Sequence, residues 1–155
     1  MLSLQLEATE IAELEDYYSS LNSRSLDLKP IQRDLDDIQR EELNLRFQSS
    51  PGTEVGGTVY GDVYWDRLSN WYLNQVPRRR GGQIMIDTGR LRTDATSPGS
   101  GNSSNFNGAE YEFSINTPYA TKQNTMRQLL FWSEGLLKQT EEAILNYVIT
   151  GRGRS

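Results

Sequence analysis

The chain has 155 residues, 35% of them hydrophobic, with no cysteine, no histidine and a net charge of -5. These totals exclude disulfides, thiolate metal sites, histidine-based triads and nearly all zinc or non-haem iron centres. They bound the fold to one modest domain, or one domain with an extended arm, whose bulky burial comes from 3 Trp, 8 Tyr and 4 Phe.

A mean hydropathy of -0.67 leaves room for a partner subunit to cover some of the apolar surface. Residues 1–50 hold 11 acids and 5 bases, residues 51–95 hold 5 and 6, and residues 96–155 hold 5 and 5. An acidic N-terminal part argues against tight non-specific DNA binding, which wants a basic face. No calcium-loop ladder of acids occurs, so no metal or other cofactor is expected. No apolar run reaches the roughly 18 residues of a membrane span, and the first residues lack a signal-peptide pattern. The expectation is a soluble protein made in a cytoplasm, with no membrane partner.

Taken in chain order, Leu4, Ala8, Ile11, Leu14, Tyr18 and Leu21 recur at helical steps and predict an amphipathic helix over residues 3–21. Asn22-Ser23-Arg24-Ser25 reads as a break. A second helix carries Leu28, Ile31, Leu35, Ile38 and Leu45 on a narrow stripe, with Glu42 at the missing step and Leu43 and Phe47 widening its end; Ser49-Ser50-Pro51-Gly52 stops it. The two form an α-hairpin or arm, residues 1–50, that either covers the domain's own sheet or makes a subunit contact.

Residues 52–64 read as a loop into a short, glycine-interrupted strand. Residues 65–73 read as a short helix with Trp65, Leu68, Trp71 and Tyr72 on one side. Pro77-Arg78-Arg79-Arg80-Gly81-Gly82 is expected to be an exposed basic loop, whose arginines are either simply solvated or dock a partner or a phosphate. Residues 97–108 read as flexible loop. Residues 110–116 alternate with period two and place Tyr111, Phe113 and Ile115 on one face of a strand. A C-terminal amphipathic helix over 131–149 carries Trp132, Leu136, Leu137, Ile144, Leu145 and Val148. The tail, residues 150–155, reads as mobile and basic through Arg152 and Arg154. The tryptophans fit core or interface packing better than base stacking.

Residues 84–92, Ile-Met-Ile-Asp-Thr-Gly-Arg-Leu-Arg, pose a choice. An apolar run ending in Asp87-Thr88-Gly89 has the local look of an aspartic protease, in which a chain this short would dimerise to pair two carboxylates around one proton. Arg90 follows where those enzymes have a small residue, and Val148-Ile149-Thr150-Gly151 misses the spacing of their second apolar-apolar-Gly element. The alternative is a turn: Asp87 or Thr88 caps a helix start, Gly89 reverses the chain, and Leu91 is the buried residue of the turn that follows.

Several of these stretches, read together over residues 45–149, resemble the virion-morphogenesis or tail-completion proteins of tailed bacteriophages. The stretches are Phe47 to Gly52, Trp65-Asp66-Arg67-Leu68, the three arginines 78–80, Ile84 to Arg92, Ile115 to Ala120, and Arg127 to Phe131. Gln123 stands near the family's histidine, and the Phe-Gly pair that usually follows is missing. The resemblance implies an α+β domain over residues 51–149, a small curved antiparallel sheet packed against helices, with the N-terminal α-hairpin and the C-terminal amphipathic helix around it. It makes Trp65, Leu68, Asp87, Thr88, Gly89, Leu91, Arg92, Tyr119, Ala120 and Arg127 structural motif residues. Arg78, Arg79, Arg80, Arg152 and Arg154 are candidate partner contacts. It implies no catalysis. The family's members form rings in the neck, complete or terminate the tail, join it to the head and line a channel for DNA.

A 155-residue domain has a radius of gyration near 15 Å and cannot encircle a duplex alone. Passage of DNA therefore requires a cyclic homo-oligomer, a hexamer favoured over a dodecamer, with connector and tail proteins as neighbours. Double-stranded DNA would pass transiently, without sequence specificity. The readings from other classes are an aspartic-type hydrolase using Asp87 and a generic oligomeric protein-binding module.

Overall fold

The computed structural model describes residues 8–107 and 110–154. It is an α+β fold built, among those residues, from six α-helices and two separate antiparallel hairpins, with a helix pair at the N-terminal end and a helix at the C-terminal end. The expected sheet is thus two short ribbons.

Helix α1 is Ala8–Leu26. The stretch of the predicted helix before Ala8, with Leu4, lies outside the described residues. At the other end the helix runs through the predicted break. Asn and Ser are weak helix formers, but a tertiary contact outweighs them: Arg24 Nη2 donates to the Ile149 carbonyl at 3.3 Å, so the last turns of α1 lean on the C-terminal helix. Every residue from Ala12 to Ser20 is exposed.

A 3-10 turn at Lys29–Ile31, opened by Pro30, leads into helix α2, Gln32–Gln48. Leu28, Ile31, Leu35 and Ile38 are buried as predicted, against Leu136 and Tyr147. Further along, Leu43 and Phe47 are buried with Trp65, Ile84, Leu91 and Leu129. One helix thus serves both clusters, and no break in packing falls at residue 50. Leu45 leaves the predicted stripe and is exposed, while Glu42 and Arg46 are buried in its place. Because Gln39, Leu43 and Phe47 are buried as well, the buried face is centred near residues 39, 42 and 46, and residue 45 falls about 100° from that centre.

Strands β1, Gly57–Val59, and β2, Val63–Trp65, pair Gly57 with Trp65 and Val59 with Val63. Gly61 at φ 94° and Asp62 at φ 65° turn the hairpin. Trp65 is therefore a strand residue, fully buried, and the predicted helix starts later, as α3, Asn70–Gln75. Ser69 sets that start, its Oγ accepting from Tyr72 N at 3.1 Å. Trp71 is consequently 72% exposed instead of sharing a face with Trp65.

Just before β1, Gly56 has φ +69°, and a Cβ there would lie 2.7 Å from Arg67 N and 2.8 Å from the Trp65 carbonyl oxygen. Gly89 also has positive φ, but open space surrounds its Cβ position. Gly89→Ala should cost only the left-handed strain, about 1–2 kcal/mol. Gly56→Ala adds a backbone clash and should cost about 3 kcal/mol. Urea unfolding of the pair checks the order.

The Gln83–Ile86 run is a tight reversal in which buried Met85 adopts φ 59°; it is held by Ile84 N donating to the Pro51 carbonyl at 2.9 Å. Helix α4, Arg90–Thr96, follows Gly89 and buries Leu91, as expected. Strand β3, Asn102–Asn107, occupies the stretch predicted as flexible loop and pairs with β4, Glu110–Ile115. Its polar residues satisfy themselves by side-chain bonds. Asn102 Nδ2 donates to the carbonyls of Asp94 (2.7 Å) and Ser97 (2.9 Å), and Gln32 Nε2 donates to Ser104 Oγ at 2.8 Å. Phe106 packs on Tyr111, ring centroids 5.2 Å apart. The predicted face of Tyr111, Phe113 and Ile115 is half-buried against the two clusters.

Helix α5 is Ala120–Met126, and α6 is Glu134–Thr150, capped by Ser133 and ended by Gly151 at φ 72°. Leu136 and Tyr147 are its buried residues, whereas Trp132, Leu137 and Leu145 of the predicted stripe are exposed. In the tail, Arg154 N donates to Asp34 Oδ2 at 2.7 Å, so this end lies along α2. No helix among the described residues is long and apolar enough to cross a membrane.

Candidate functional site

The three segments that carry most of the motif residues meet around one cleft of about 780 Å³. One wall is the start of α3 with Leu68, Trp71 and Tyr72. The second is the reversal and turn from Ile84 to Leu91. The third is α5 with Tyr119, Lys122 and Met126. Buried Ile84, Met85 and Leu91 make the floor apolar, and Trp71, Tyr119 and Met126 stay exposed at the rim.

The cationic side chains lining the cleft are Arg67, Arg79, Arg90, Lys122 and Arg127, and among the described residues its only acid is Asp87. That acid is already engaged. Arg78 grips its carboxylate with both terminal nitrogens, Nη1 to Oδ1 and Nη2 to Oδ2 at 3.0 Å, and Arg79 Nη1 stands 3.8 Å away. The Arg78 hydrogen bond, helped by Arg79, holds the Asp87 carboxyl below the usual carboxylate range. The site is therefore an apolar groove under a positive potential.

Arg127 closes the wall between β2 and α5. Its Nε donates to the Asp66 carbonyl at 2.8 Å and its Nη2 to that of Arg67 at 3.2 Å; burial pulls its pKa down against the opposing charge of Asp66. Trp65 Nε1 donates to the Gln128 carbonyl at 3.0 Å. Ala120 is buried under the same cluster. The motif residues Trp65, Leu68, Asp87, Thr88, Gly89, Leu91, Tyr119, Ala120 and Arg127 thus form one unit. Arg92 points elsewhere: its Nη2 donates to Asn44 Oδ1 on α2 at 3.2 Å.

The start of α4 follows the expected turn in part. Of the two expected acceptors it is Thr88 that acts, its Oγ1 accepting from Arg90 N at 3.4 Å; Gly89 is the N-cap residue in left-handed geometry, and Asp87 instead serves Arg78. The three-arginine loop is likewise not uniformly exposed. Arg79 is buried, donating to the carbonyls of Ile86 (2.6 Å) and Gln83 (3.1 Å), while the Arg79 carbonyl accepts from Thr53 Oγ1 at 2.7 Å. It is a clamp between segments. Arg80 Nη2 donates to Asn74 Oδ1 at 2.6 Å, and Arg154 Nη1 lies 3.5 Å from Glu41 Oε2. Arg152 is exposed, its backbone tied to Asn146 and Thr150.

Sequence reasoning did not single out Lys122, Met126 or Arg90 as cleft residues. The one signal for them is the helical spacing of Tyr119, Lys122 and Met126, which places them on one face. It also missed the buried pair of Glu42 and Arg46, whose four-residue spacing allows an ion pair but says nothing of its burial. Comparison of the chain with protein-family models, curated proteins and solved structures finds no match to any of them.

Proposed function

We propose that this chain is a structural virion protein of a tailed phage, forming a ring in the neck that completes or terminates the tail and joins it to the head around a DNA channel. The observation that carries this reading is the convergence of the motif set. Trp65 packs with Leu91 and Ala120 and is bonded to Gln128, Arg127 is bonded to the carbonyls beside Trp65, and Leu68, Asp87, Thr88, Gly89, Leu91, Tyr119 and Arg127 line one cleft, with Arg92 alone directed to α2. Such convergence is what a motif set kept for architecture is expected to show.

The state of Asp87 weighs the same way. A shared-proton dyad needs a carboxyl that is readily protonated beside its twin. Here a bidentate arginine favours the charged form and occupies both oxygens. Asp87 on this reading is a strut that fixes the 78–80 loop to the turn before α4.

The experiment is mass spectrometry of intact purified particles, with native mass measurement of the protein alone. The expected outcome is the protein in particles in a multiple of six copies, and a closed assembly of about 106 kDa for six chains of 17.7 kDa. Absence from particles removes the virion reading and leaves a generic oligomeric binding module. Peptide cleavage lost in Asp87→Asn would instead favour the hydrolase.

A further inference from the structure

We infer that helix α1 of one copy docks in the cleft between α3 and α5 of the next, making the repeating head-to-tail contact of the oligomer. The inference rests on the ring reading for its purpose and on two complementary surfaces for its substance.

The first surface is the exposed half of α1. Leu14, Tyr17 and Tyr18 fall at steps of three and one, hence on one face, and are 44%, 46% and 64% exposed. Leu21, a turn later on the same stripe, is half-buried, where the helix meets α6. Glu13 and Glu15 flank the apolar face and are exposed, without a hydrogen bond or ion pair among the described residues, and Asp16 lies on the opposite side of the helix. An acidic amphipathic helix with its apolar stripe in water is a donor element for a groove.

The second surface is the cleft itself: apolar floor, aromatic rim of Trp71 and Tyr119, and cations Arg67 and Lys122 around it, with Arg90 also there but paired with Asp94 at 3.5 Å. Among the described residues its only acid is Asp87, which Arg78 neutralises. Lys122 makes no hydrogen bond or ion pair among the described residues. At about 780 Å³ the cleft is in the range of built binding sites, roughly 300–1,000 Å³. The charges are of opposite sign, and among the described residues neither apolar stripe is covered.

The two surfaces share no element. Each copy therefore offers one donor and one acceptor, and the contact is heterologous. Such a contact closes into a ring when its rotation divides a full turn.

The chain has no cysteine, so introduced thiols report cleanly. Tyr18→Cys and Met126→Cys, both at exposed positions, are purified separately, mixed, and oxidised with oxidised glutathione. The mixture should give the mixed disulfide faster than either variant alone gives its homodimer. Mixing separate variants also excludes α1 folding onto its own cleft, since neither chain carries both thiols. Trp71→Ala should weaken association about thirtyfold and leave the unfolding midpoint unchanged at concentrations where the chain is monomeric. Lys122→Glu should weaken it about two- to fivefold, with recovery on adding Glu15→Lys to the partner.

Absence of the mixed disulfide up to the solubility limit, or faster homodimers of Tyr18→Cys, overturns the contact, the latter in favour of an isologous α1 pair. Particles that carry six copies without the mixed disulfide keep the ring and remove this interface. The mixed disulfide in a protein missing from particles keeps the interface and removes the virion reading.

Discussion

Arg46→Ala should lower the unfolding free energy by about 3–5 kcal/mol, read as a loss of midpoint in urea with an unchanged slope. Arg46 is completely buried beside Glu42, which is 2% exposed. Its guanidinium spends its hydrogen bonds on three groups: Glu42 Oε1 at 2.7 Å, the Leu129 carbonyl at 2.8 Å and the Phe131 carbonyl at 3.1 Å. It also stacks 3.7 Å from the Phe131 ring centroid. Burial pulls the Arg46 pKa down, and Glu42 opposes that shift.

Removing the arginine leaves a buried carboxylate whose remaining partner is Ser133 Oγ, 2.6 Å away. Ser133 is the N-cap of α6, accepting from Leu136 N at 3.1 Å. Loss of Arg46 therefore loosens α2, the 129–131 segment and the start of α6 together. The double replacement, Glu42→Leu with Arg46→Met, should recover at least half of the loss, because it removes the uncompensated charge. A double variant no more stable than Arg46→Ala would mean that the carbonyl bonds, not the charge pair, hold this region.

Trp65→Ala should cost a comparable amount, about 3–5 kcal/mol. The indole is fully buried among Leu43, Phe47, Ile84, Leu91 and Leu129, at the junction of α2, the reversal before α4 and the segment after α5. Its removal opens a cavity and frees the Gln128 carbonyl. Trp65→Phe keeps most of the apolar volume and loses the bond from Nε1, so it should cost only about 1–2 kcal/mol. Trp71→Ala is the control, since Trp71 is exposed and supports no packing. Equal losses for Trp65→Ala and Trp65→Phe would place the energy in the hydrogen bond alone.

Elements with a strong period are legible in the amino-acid sequence itself. The apolar steps from Leu28 to Ile38 and the alternation of Tyr111, Phe113 and Ile115 reach their predicted faces. The turn at Gly89 and burial of Leu91 are legible for the same reason, since glycine in left-handed geometry and one apolar residue in the first turn are local facts. The cleft is legible only in part: Leu68, Asp87, Gly89 and Tyr119 stand out along the chain, but not as walls of one groove.

The misread segments depend on distant partners. Asn102 to Asn107 has the composition of a loop, and becomes a strand because β4 supplies its ladder while Asp94, Ser97 and Gln32 bond its side chains. Trp65 leaves the helix pattern because hairpin pairing with Gly57 puts it in the core. Arg79 leaves the exposed arginine run because the carbonyls of Gln83 and Ile86 need its donors.

By itself, the amino-acid sequence of this protein determined the helical frame, the one clear strand and the absence of thiol and imidazole chemistry. Hydrophobic period and residue inventory are local quantities, so these could be read without knowing any contact. Tertiary structure alone decided that Glu42 and Arg46 are buried, that Asp87 is locked to Arg78, and that α1 leaves Leu14, Tyr17 and Tyr18 in water beside acids. Those outcomes depend on which carbonyl, carboxylate or helix lies opposite each side chain, and pairing of that kind is set by the whole fold.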